Sequence, residues 1–181
     1  MRRTRLVLIS SAIATAAFLA ACSAQEANTA EPDTTGQTEA AESTEIDAGP
    51  IVISPESERP SSAGSEDYFT GTATIGPLFD AIAERATGAA EVTFEPGART
   101  AWHTHPAGQT LVVTEGRGWV HQEGASRRDM VAGDVAWIPA NVKHWHGATA
   151  VDLMTHLAVQ DSVDGYGVDW LEQVTDEQYL G

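Results

Sequence analysis

The chain has 181 residues, with 26 Asp or Glu against 10 Lys or Arg, which gives a formal net charge of −16. Such an acidic chain, which lacks a basic patch, is not expected to bind nucleic acid. Cys22 is its only cysteine, which excludes an intramolecular disulfide, and the folded part is left without a catalytic thiol or a cysteine metal ligand.

The N-terminus has the pattern of a secretory signal. Three arginines within the first five residues precede an apolar run, residues 6–21, that is too short and too rich in Ala for a membrane-spanning helix. The run ends in the letters LAAC at Cys22, which resembles the lipobox of bacterial lipoproteins. We therefore expect residues 1–21 to be a signal peptide and Cys22 to carry a lipid that anchors the protein to the bacterial cell envelope, on its periplasmic or outer face. The alternative is an ordinary signal peptide that contains a cysteine.

Residues 22–67 are predicted to be a flexible acidic linker. Glu, Asp, Thr, Ser, Ala, Pro and Gly dominate this stretch, and Arg59 is its only basic residue. Such a composition cannot bury enough apolar surface to offset the entropy lost on ordering. The linker would give an average reach of roughly 35–40 Å. An acidic arm that binds a partner is the alternative interpretation.

Residues 68–181 are sufficient for one domain. Short strands separated by turns with Gly and Pro, as at Pro96-Gly97, predict an all-β closed or sandwiched antiparallel sheet. Residues 79–86 are predicted to be a loop or a strand extension, and a strand and a short terminal helix are expected after residue 167. The main predicted strands are Tyr68–Ile75, Ala89–Phe94, Thr110–Thr114, Gly118–Gln122, Asp134–Ile138, His144–Ala148 and Met154–Gln160.

Two histidine-containing stretches predict a metal site. His103 and His105 are two residues apart, so both side chains point to one side of an extended strand, and Gln109 follows four residues later. Pro139 marks a turn before His144, which begins a second strand. Three imidazoles and one amide that converge from two strands leave room on a metal for exogenous ligands.

Further polar residues fall near this site. His146 lies two residues after His144, so it faces the same side and is available as a general acid or base. The alternatives are that His146 stabilises the fold or replaces His144 as a ligand. In the strand Met154–Gln160, His156 and Gln160 share one face, where they are either structural and hydrogen-bonded or line a wet site. In Ala89–Phe94, residues Ala90, Val92 and Phe94 are expected to face the cavity.

Both histidine stretches resemble the two sequence motifs of the cupin superfamily. The first contains Gly97, His103, His105, Gln109 and Gly116 at the family spacing, and the second contains Gly133, Pro139 and His144. The resemblance implies a cupin double-stranded β-helix, a jelly-roll barrel, over residues 68–181. The chain departs from the pattern at Gln109, where Glu is usual, at Asn141, where Gly is expected, and in having no Asn at the usual distance after His144.

Within this superfamily the chain is similar to small bacterial proteins that include manganese-containing hydroxynitrile lyases. This resemblance implies one divalent metal per chain, with manganese as the first choice and iron or zinc as alternatives. The implied ligands are His103, His105, Gln109 and His144. The implied acid–base residues are His146 and His156, with Thr100 hydrogen-bonded to the substrate. The implied pocket residues are Ala90, Val92 and Gln160.

Three functions are compatible with these residues. The first is a metal-dependent lyase for small hydroxylated or carbonyl substrates, with reversible cyanohydrin cleavage as the implied reaction. An amide at Gln109 cancels no metal charge, which favours Lewis-acid chemistry and counts against oxidative chemistry. The alternatives are an oxygen-dependent cupin dioxygenase and a lipoprotein that binds a metal or small ligand without catalysis.

The expected partners are a small-molecule substrate and the membrane, through Cys22. A homodimer, with Tyr68–Ile75 as an intersubunit strand, is compatible with the family.

Overall fold

The structure, a computed structural model, describes residues 49–181. The predicted signal peptide, Cys22 and the linker as far as residue 48 lie outside the described residues. Within residues 49–181, no helix has the length and apolar character that a membrane crossing requires. The strands are β1 Ser62–Ala63, β2 Phe69–Thr70, β3 Ala73–Phe79, β4 Thr87–Phe94, β5 Arg99–Thr100, β6 His103–Thr104, β7 Gln109–Gln122, β8 Arg128–Val131, β9 Val135–Ile138, β10 His144–Ala148, β11 Met154–Asp161 and β12 Asp169–Trp170. The helices are a 3-10 turn, Glu56–Glu58, and α1, Asp176–Leu180.

Two antiparallel sheets curl around a common core and share the long strand β7. One sheet has the order β1-β3-β4-β11-β7-β9, and in the other β7 pairs with β8 and β10, which continues to β5 and β2. The short strand β6 lies between β10 and β12. The fully buried side chains of Phe94, Leu111 and Met154 belong to the core between the sheets. This double-sheet barrel confirms the all-β jelly-roll prediction.

Strand β7 is one long strand, so the prediction of two separate strands in this region was wrong. The sequence predicted two separate strands, Thr110–Thr114 and Gly118–Gln122, but residues 109–122 form one strand. Gly116 has a φ of 72°, and a Cβ at this position would lie 2.0 Å from the carbonyl oxygen of Leu153. The glycine therefore bends the strand without ending it, because both halves keep their partners across the bend, β11 before it and β10 after it.

Residues 59–63, which precede the predicted domain start at residue 68, make hydrogen bonds to strand β3. Ser62 and Ala63 pair with Ile75 and Thr74 of β3, and Arg59 donates a hydrogen bond of 2.7 Å to the carbonyl of Pro77. Backbone pairing therefore holds the end of the predicted linker despite its low hydrophobicity. Strand β3 pairs on one edge with β1 and on the other with β4, so both of its edges are used within the same chain.

The C-terminus is fixed to the strands that carry the histidines. Arg99 of β5 is buried, and its guanidinium donates hydrogen bonds to the carbonyl of Val174 at 2.8 Å and to Asp176 at 2.7 Å. The hydroxyl of Tyr179 donates a 2.9 Å hydrogen bond to the carbonyl of Ala148, at the end of β10. Thr175 is the N-cap of α1 and forms a capping box with Gln178, and the helix lies where the sequence predicted a short terminal helix.

Gly147 gives a test of how closely β5 packs against β10. A Cβ at Gly147 would lie 2.4 Å from the carbonyl oxygen of Ala98 and 2.6 Å from the Cα of Arg99. We expect Gly147→Ala to lower the free energy of unfolding by about 1–3 kcal/mol, since two backbones must separate. Urea denaturation measures the change. The matched control is Gly76→Ala, where the nearest atom is the side-chain oxygen of the exposed Ser61 at 3.2 Å. Equal losses in the two variants would contradict the close packing.

Candidate metal centre

Three buried histidines bring their ring nitrogens together inside the barrel. His144 of β10 pairs directly with His103 of β6, and their ring centroids are 4.2 Å apart. Strand alternation places His146 on the same side as His144, as predicted, and one nitrogen from each of these three residues lies within 4.8 Å of the others. This cluster fits a single metal site.

His105 lies beside the same cluster. Its ring centroid is 5.1 Å from that of His103 and 5.6 Å from that of His144. The spacing of two residues between His103 and His105 therefore brings both imidazoles to one place, as the sequence predicted.

Backbone carbonyls orient three of these imidazoles in the same way. The Nδ1 atoms of His103, His105 and His144 lie 3.0, 2.6 and 2.8 Å from the carbonyl oxygens of Ala101, Gly167 and Val142, respectively. A carbonyl oxygen can only accept a hydrogen bond, so the proton of each neutral ring sits on Nδ1. The lone pair on each Nε2 is then free to bind a metal.

Two observations indicate that a cation fits between these groups. The Nε2 atom of His105 is buried and has no hydrogen-bond partner among residues 49–181, and an unpaired buried nitrogen is costly. The Nε2 atom of His144 lies 3.3 Å from the Oε1 atom of Gln109. With the proton of His144 on Nδ1, both of these atoms present lone pairs, and a positive charge between them would turn repulsion into coordination.

Gln160 holds the amide of Gln109 in this orientation. The Nε2 of Gln109 donates a long hydrogen bond, 3.5 Å, to the Oε1 of Gln160 on the neighbouring strand β11. Because the amide nitrogen is directed to Gln160, the amide oxygen of Gln109 is directed to His144. The structure therefore places these two residues next to each other, one at the proposed metal and the other in the cavity wall.

His146 differs from the other histidines because its Nδ1 faces another histidine. The Nδ1 of His146 is 3.1 Å from the Nε2 of His156, and both rings are buried. The Nε2 of His146 has no hydrogen-bond partner among the described residues. Thr100 lies next to this pair, and its hydroxyl oxygen accepts a 3.2 Å hydrogen bond from the backbone N–H of His146. The two implied acid–base histidines and Thr100, the residue implied to bind the substrate, thus form one connected group.

The three histidines whose nitrogens lie closest together include His146, whereas the predicted ligands include His105 in its place. The short nitrogen–nitrogen distances favour His146 as the third ligand. The contact of Nδ1 with a backbone carbonyl instead groups His105 with His103 and His144. The carbonyl pattern decides the assignment, because it fixes the tautomer that a metal ligand needs. His146 is then left for the bond to His156.

Burial keeps these histidines neutral. Burial lowers the pKa of His144 and of His156 from 6.5 to about 4. The pKa of His103 and of His146 falls well below 6.5, first because of burial and then because other histidines are close. Burial also lowers the pKa of His105, although its hydrogen bond to Gly167 opposes this effect. Neutral imidazoles are the form in which a histidine binds a metal or accepts a proton.

A cavity of about 300 Å³ opens next to the histidines and contains most of the predicted pocket residues. Val92, Gln160 and Thr100 line it, whereas Ala90 is absent from its lining and packs against the core. The sequence analysis missed several apolar residues of the wall, because no local motif marks residues that arrive from distant strands. These are Phe69, Ile75, Ala158, Val168 and Trp170.

A second, larger cavity of about 480 Å³ lies between β7, β8 and β9. Its lining mixes apolar residues, such as Val120 and Met130, with polar ones, such as Arg128 and Asp129. His144 is the one residue of the histidine cluster that lines it. The unpaired nitrogens of His105 and His146 belong to residues that line the smaller cavity. We therefore assign the chemistry to the smaller cavity.

Comparison with known proteins identified relatives that share this histidine region. The family model described as Cupin domain matches residues 90–159, which include all five histidines discussed above. An (R)-mandelonitrile lyase from Granulicella tundricola is 56% identical over 119 residues, which make up 66% of this chain and 91% of the relative.

Solved structures resemble the chain as well. A cupin-like protein from Thermotoga maritima is 42% identical, with a TM-score of 0.63 over 67% of this chain and 92% of that protein. A cupin-2 domain from Rhodospirillum rubrum, which is 16% identical, has a TM-score of 0.54 over 70% of this chain and 82% of that protein. The second similarity concerns the fold alone.

The buried neutral histidines predict that acid destabilises the metal-free protein. The folded state holds the pKa of His144 and His156 near 4, whereas the unfolded chain has its ordinary value of 6.5. Their contribution to stability is therefore complete above about pH 6.5, falls as the pH drops and levels off below about pH 4. The slope is about 1.4 kcal/mol per pH unit for each histidine. Urea midpoints of chelator-treated protein between pH 7.5 and 4.5 measure the effect, and a midpoint that does not change over this range would contradict it.

Proposed function

This chain belongs to the cupin family, and on that premise we propose that it is a metal-dependent lyase that cleaves small cyanohydrins reversibly into an aldehyde and hydrogen cyanide. The observation that carries the proposal is the pair formed by His146 and His156, which lies next to a set of nitrogen donors and borders an apolar cavity. The similarity to a protein named (R)-mandelonitrile lyase supports the same reaction.

The metal would be held by His103, His105, Gln109 and His144. A divalent cation in this site, with manganese as the first choice and iron or zinc as alternatives, would supply Lewis acidity towards the oxygen or the nitrile of the substrate. The amide of Gln109 adds no negative charge, so the centre keeps a net charge near +2 when the imidazoles are neutral. This charge suits the binding of an alkoxide or of cyanide.

His146 would move the proton. Its Nε2 has no hydrogen-bond partner among the described residues, and the residue lines the cavity. In the tautomer required of a base, the N–H at Nδ1 donates to the Nε2 of His156, and this hydrogen bond stabilises the imidazolium that forms. His146 takes the proton from the hydroxyl of the cyanohydrin while the carbon–carbon bond breaks and its electron pair leaves with cyanide. The same proton then passes to cyanide, so that hydrogen cyanide is released and the histidine is neutral again.

Thr100 would orient the substrate. Its hydroxyl oxygen already accepts the backbone N–H of His146, so its hydroxyl proton remains available to a substrate oxygen in the cavity. The residue is buried, which fixes the direction of this donor. The apolar walls formed by Phe94 and Val92 would hold the aryl or alkyl part of the substrate and exclude water.

We also propose that the enzyme is a lipoprotein of the cell envelope, anchored through Cys22. The support is the sequence LAAC that follows the apolar run. The predicted linker would let the barrel move away from the membrane surface. The homodimer stays a prediction.

Replacing His146 tests the assignment of the base. We expect His146→Gln to keep the metal and to lower kcat for mandelonitrile cleavage by about 100-fold or more, since general acid–base catalysis contributes 10²–10⁴-fold. Release of benzaldehyde, followed by absorbance with and without dioxygen, gives the rate, and metal analysis gives the occupancy. The matched control is His121→Gln, a half-buried histidine of β7 that lines neither cavity. Full activity in the His146 variant would exclude it as the base, and substrate-dependent oxygen uptake would favour the dioxygenase alternative.

Replacing Gln109 tests the role of metal charge. We expect Gln109→Glu to tighten Mn²⁺ binding by about tenfold or more, because a carboxylate attracts the cation where an amide only donates a lone pair. The same change should lower kcat about tenfold, since it reduces the charge that stabilises the alkoxide. Chelator competition and steady-state kinetics measure the two effects. The control is Gln122→Glu, the same substitution at an exposed position of the same strand. Unchanged affinity in the Gln109 variant would exclude this residue as a ligand.

A further inference from the structure

The segment formed by residues 167–172, here named the crossing segment, runs along the histidines of the first motif. Strand β12 within it pairs Asp169 with Thr104 and Trp170 with His103. The backbone N–H of Leu171 donates to the carbonyl of Trp102 at 2.8 Å, and the N–H of Trp102 donates to the carbonyl of Glu172 at 2.9 Å. Backbone hydrogen bonds thus join the crossing segment to the chain on both sides of His103.

The crossing segment also supplies the hydrogen bond that orients His105. The carbonyl oxygen of Gly167 lies 2.6 Å from the Nδ1 of this ring. The corresponding carbonyls for His103 and His144 come from Ala101 and Val142, each two residues before its histidine. His105 is therefore the one predicted histidine ligand whose tautomer depends on a distant part of the chain.

Trp170 holds the crossing segment against the site through its ring. The indole stacks on Tyr68 with a centroid distance of 4.8 Å and an interplanar angle of 17°. It also lies 4.8 Å from the ring of His103 and 5.9 Å from that of Phe69. The His103 imidazole thus has Trp170 as an aromatic neighbour. Strand β6, which carries His103, is paired with β12 on one edge and with β10 on the other. The ring is in place to limit the motion of His103 and of the backbone that carries Gly167.

We propose that the crossing segment is a built-in part of the metal centre and that Trp170 is its positioning residue. By packing on Tyr68 and His103, Trp170 keeps β12 paired with β6, and this pairing keeps the Gly167 carbonyl at the Nδ1 of His105. His103 and His105 are then aligned, with their Nε2 lone pairs directed into the site, before a metal binds. The inference rests on the proposed metal site and does not depend on the lyase reaction.

The test compares substitutions of Trp170 in the full chain. We expect Trp170→Ala to weaken Mn²⁺ binding, measured by chelator competition, by about 10–100-fold, which is the usual effect of losing a residue that orients a metal ligand. Trp170→Phe, which keeps an aromatic ring against Tyr68, should stay within about threefold of the unmodified protein. In the metal-free protein, ¹⁵N imidazole NMR should show the Nδ1–H form of His105 as the dominant tautomer, and Trp170→Ala should convert it to a mixture of tautomers.

A matched control separates positioning from general stability. Val174 is buried in the neighbouring aromatic cluster and lines neither cavity, so Val174→Ala should lower the urea midpoint while leaving Mn²⁺ affinity and the His105 tautomer unchanged. An equal loss of affinity in the Val174 variant, or an unchanged tautomer and affinity in Trp170→Ala, would overturn the proposal. If Trp170→Ala does not fold, Trp170→Leu, which keeps apolar bulk and removes the aromatic ring, takes its place and should show the same losses in the same two measurements.

The outcome is distinguishable from that of the lyase proposal. If the unmodified protein binds Mn²⁺ and releases no benzaldehyde, the lyase proposal is wrong. The comparison of Mn²⁺ affinity among the Trp170 variants still tests the role of Trp170. If the unmodified protein binds no metal, the NMR comparison of metal-free protein still decides whether Trp170 sets the tautomer of His105.

Discussion

The antiparallel pairing of β6 with β10 is the contact on which the rest of the site depends, because it places His103 directly opposite His144. A shift of one residue in this register would turn the side chains of one strand to the other face. Close approach of β5 and β10 at Gly147 keeps Thr100 beside His146, so the same strand serves the proposed metal and the proposed base. Strand β10 therefore joins the two functions in one rigid element.

Burial is the second constraint, and it acts on all five clustered histidines. An imidazolium inside an apolar barrel is costly, so these rings are held neutral, and each needs a partner for its N–H. Backbone carbonyls provide the partner for His103, His105 and His144. The Nδ1 of His146 instead faces the Nε2 of His156, whose own Nδ1 has no hydrogen-bond partner among the described residues. The difference in partner divides chemically identical side chains into candidate ligands and candidate proton carriers.

Much of the barrel was predictable from the sequence, since alternation and turn residues mark strands locally. Strand β10 was predicted with its observed bounds, and β4, β9 and β11 were predicted to within two residues at either end. The bend of β7 at Gly116 was not predictable, because a glycine that ends a strand and one that bends it have the same local pattern. Strand β1 was missed for a related reason: its two residues are polar or small and are held by pairing with β3.

The sequence by itself determined the identity and spacing of His103, His105, Gln109 and His144, and with them the prediction of a metal site in a barrel. Only the tertiary structure decided which nitrogen of each ring faces the cavity, because this depends on carbonyl oxygens that no side-chain pattern reveals. It also brought Gly167 and Trp170 to residues about 60 positions earlier in the chain. Periodicity in a sequence reports on neighbours along a strand, whereas these contacts arise across strands from the closure of the sheet.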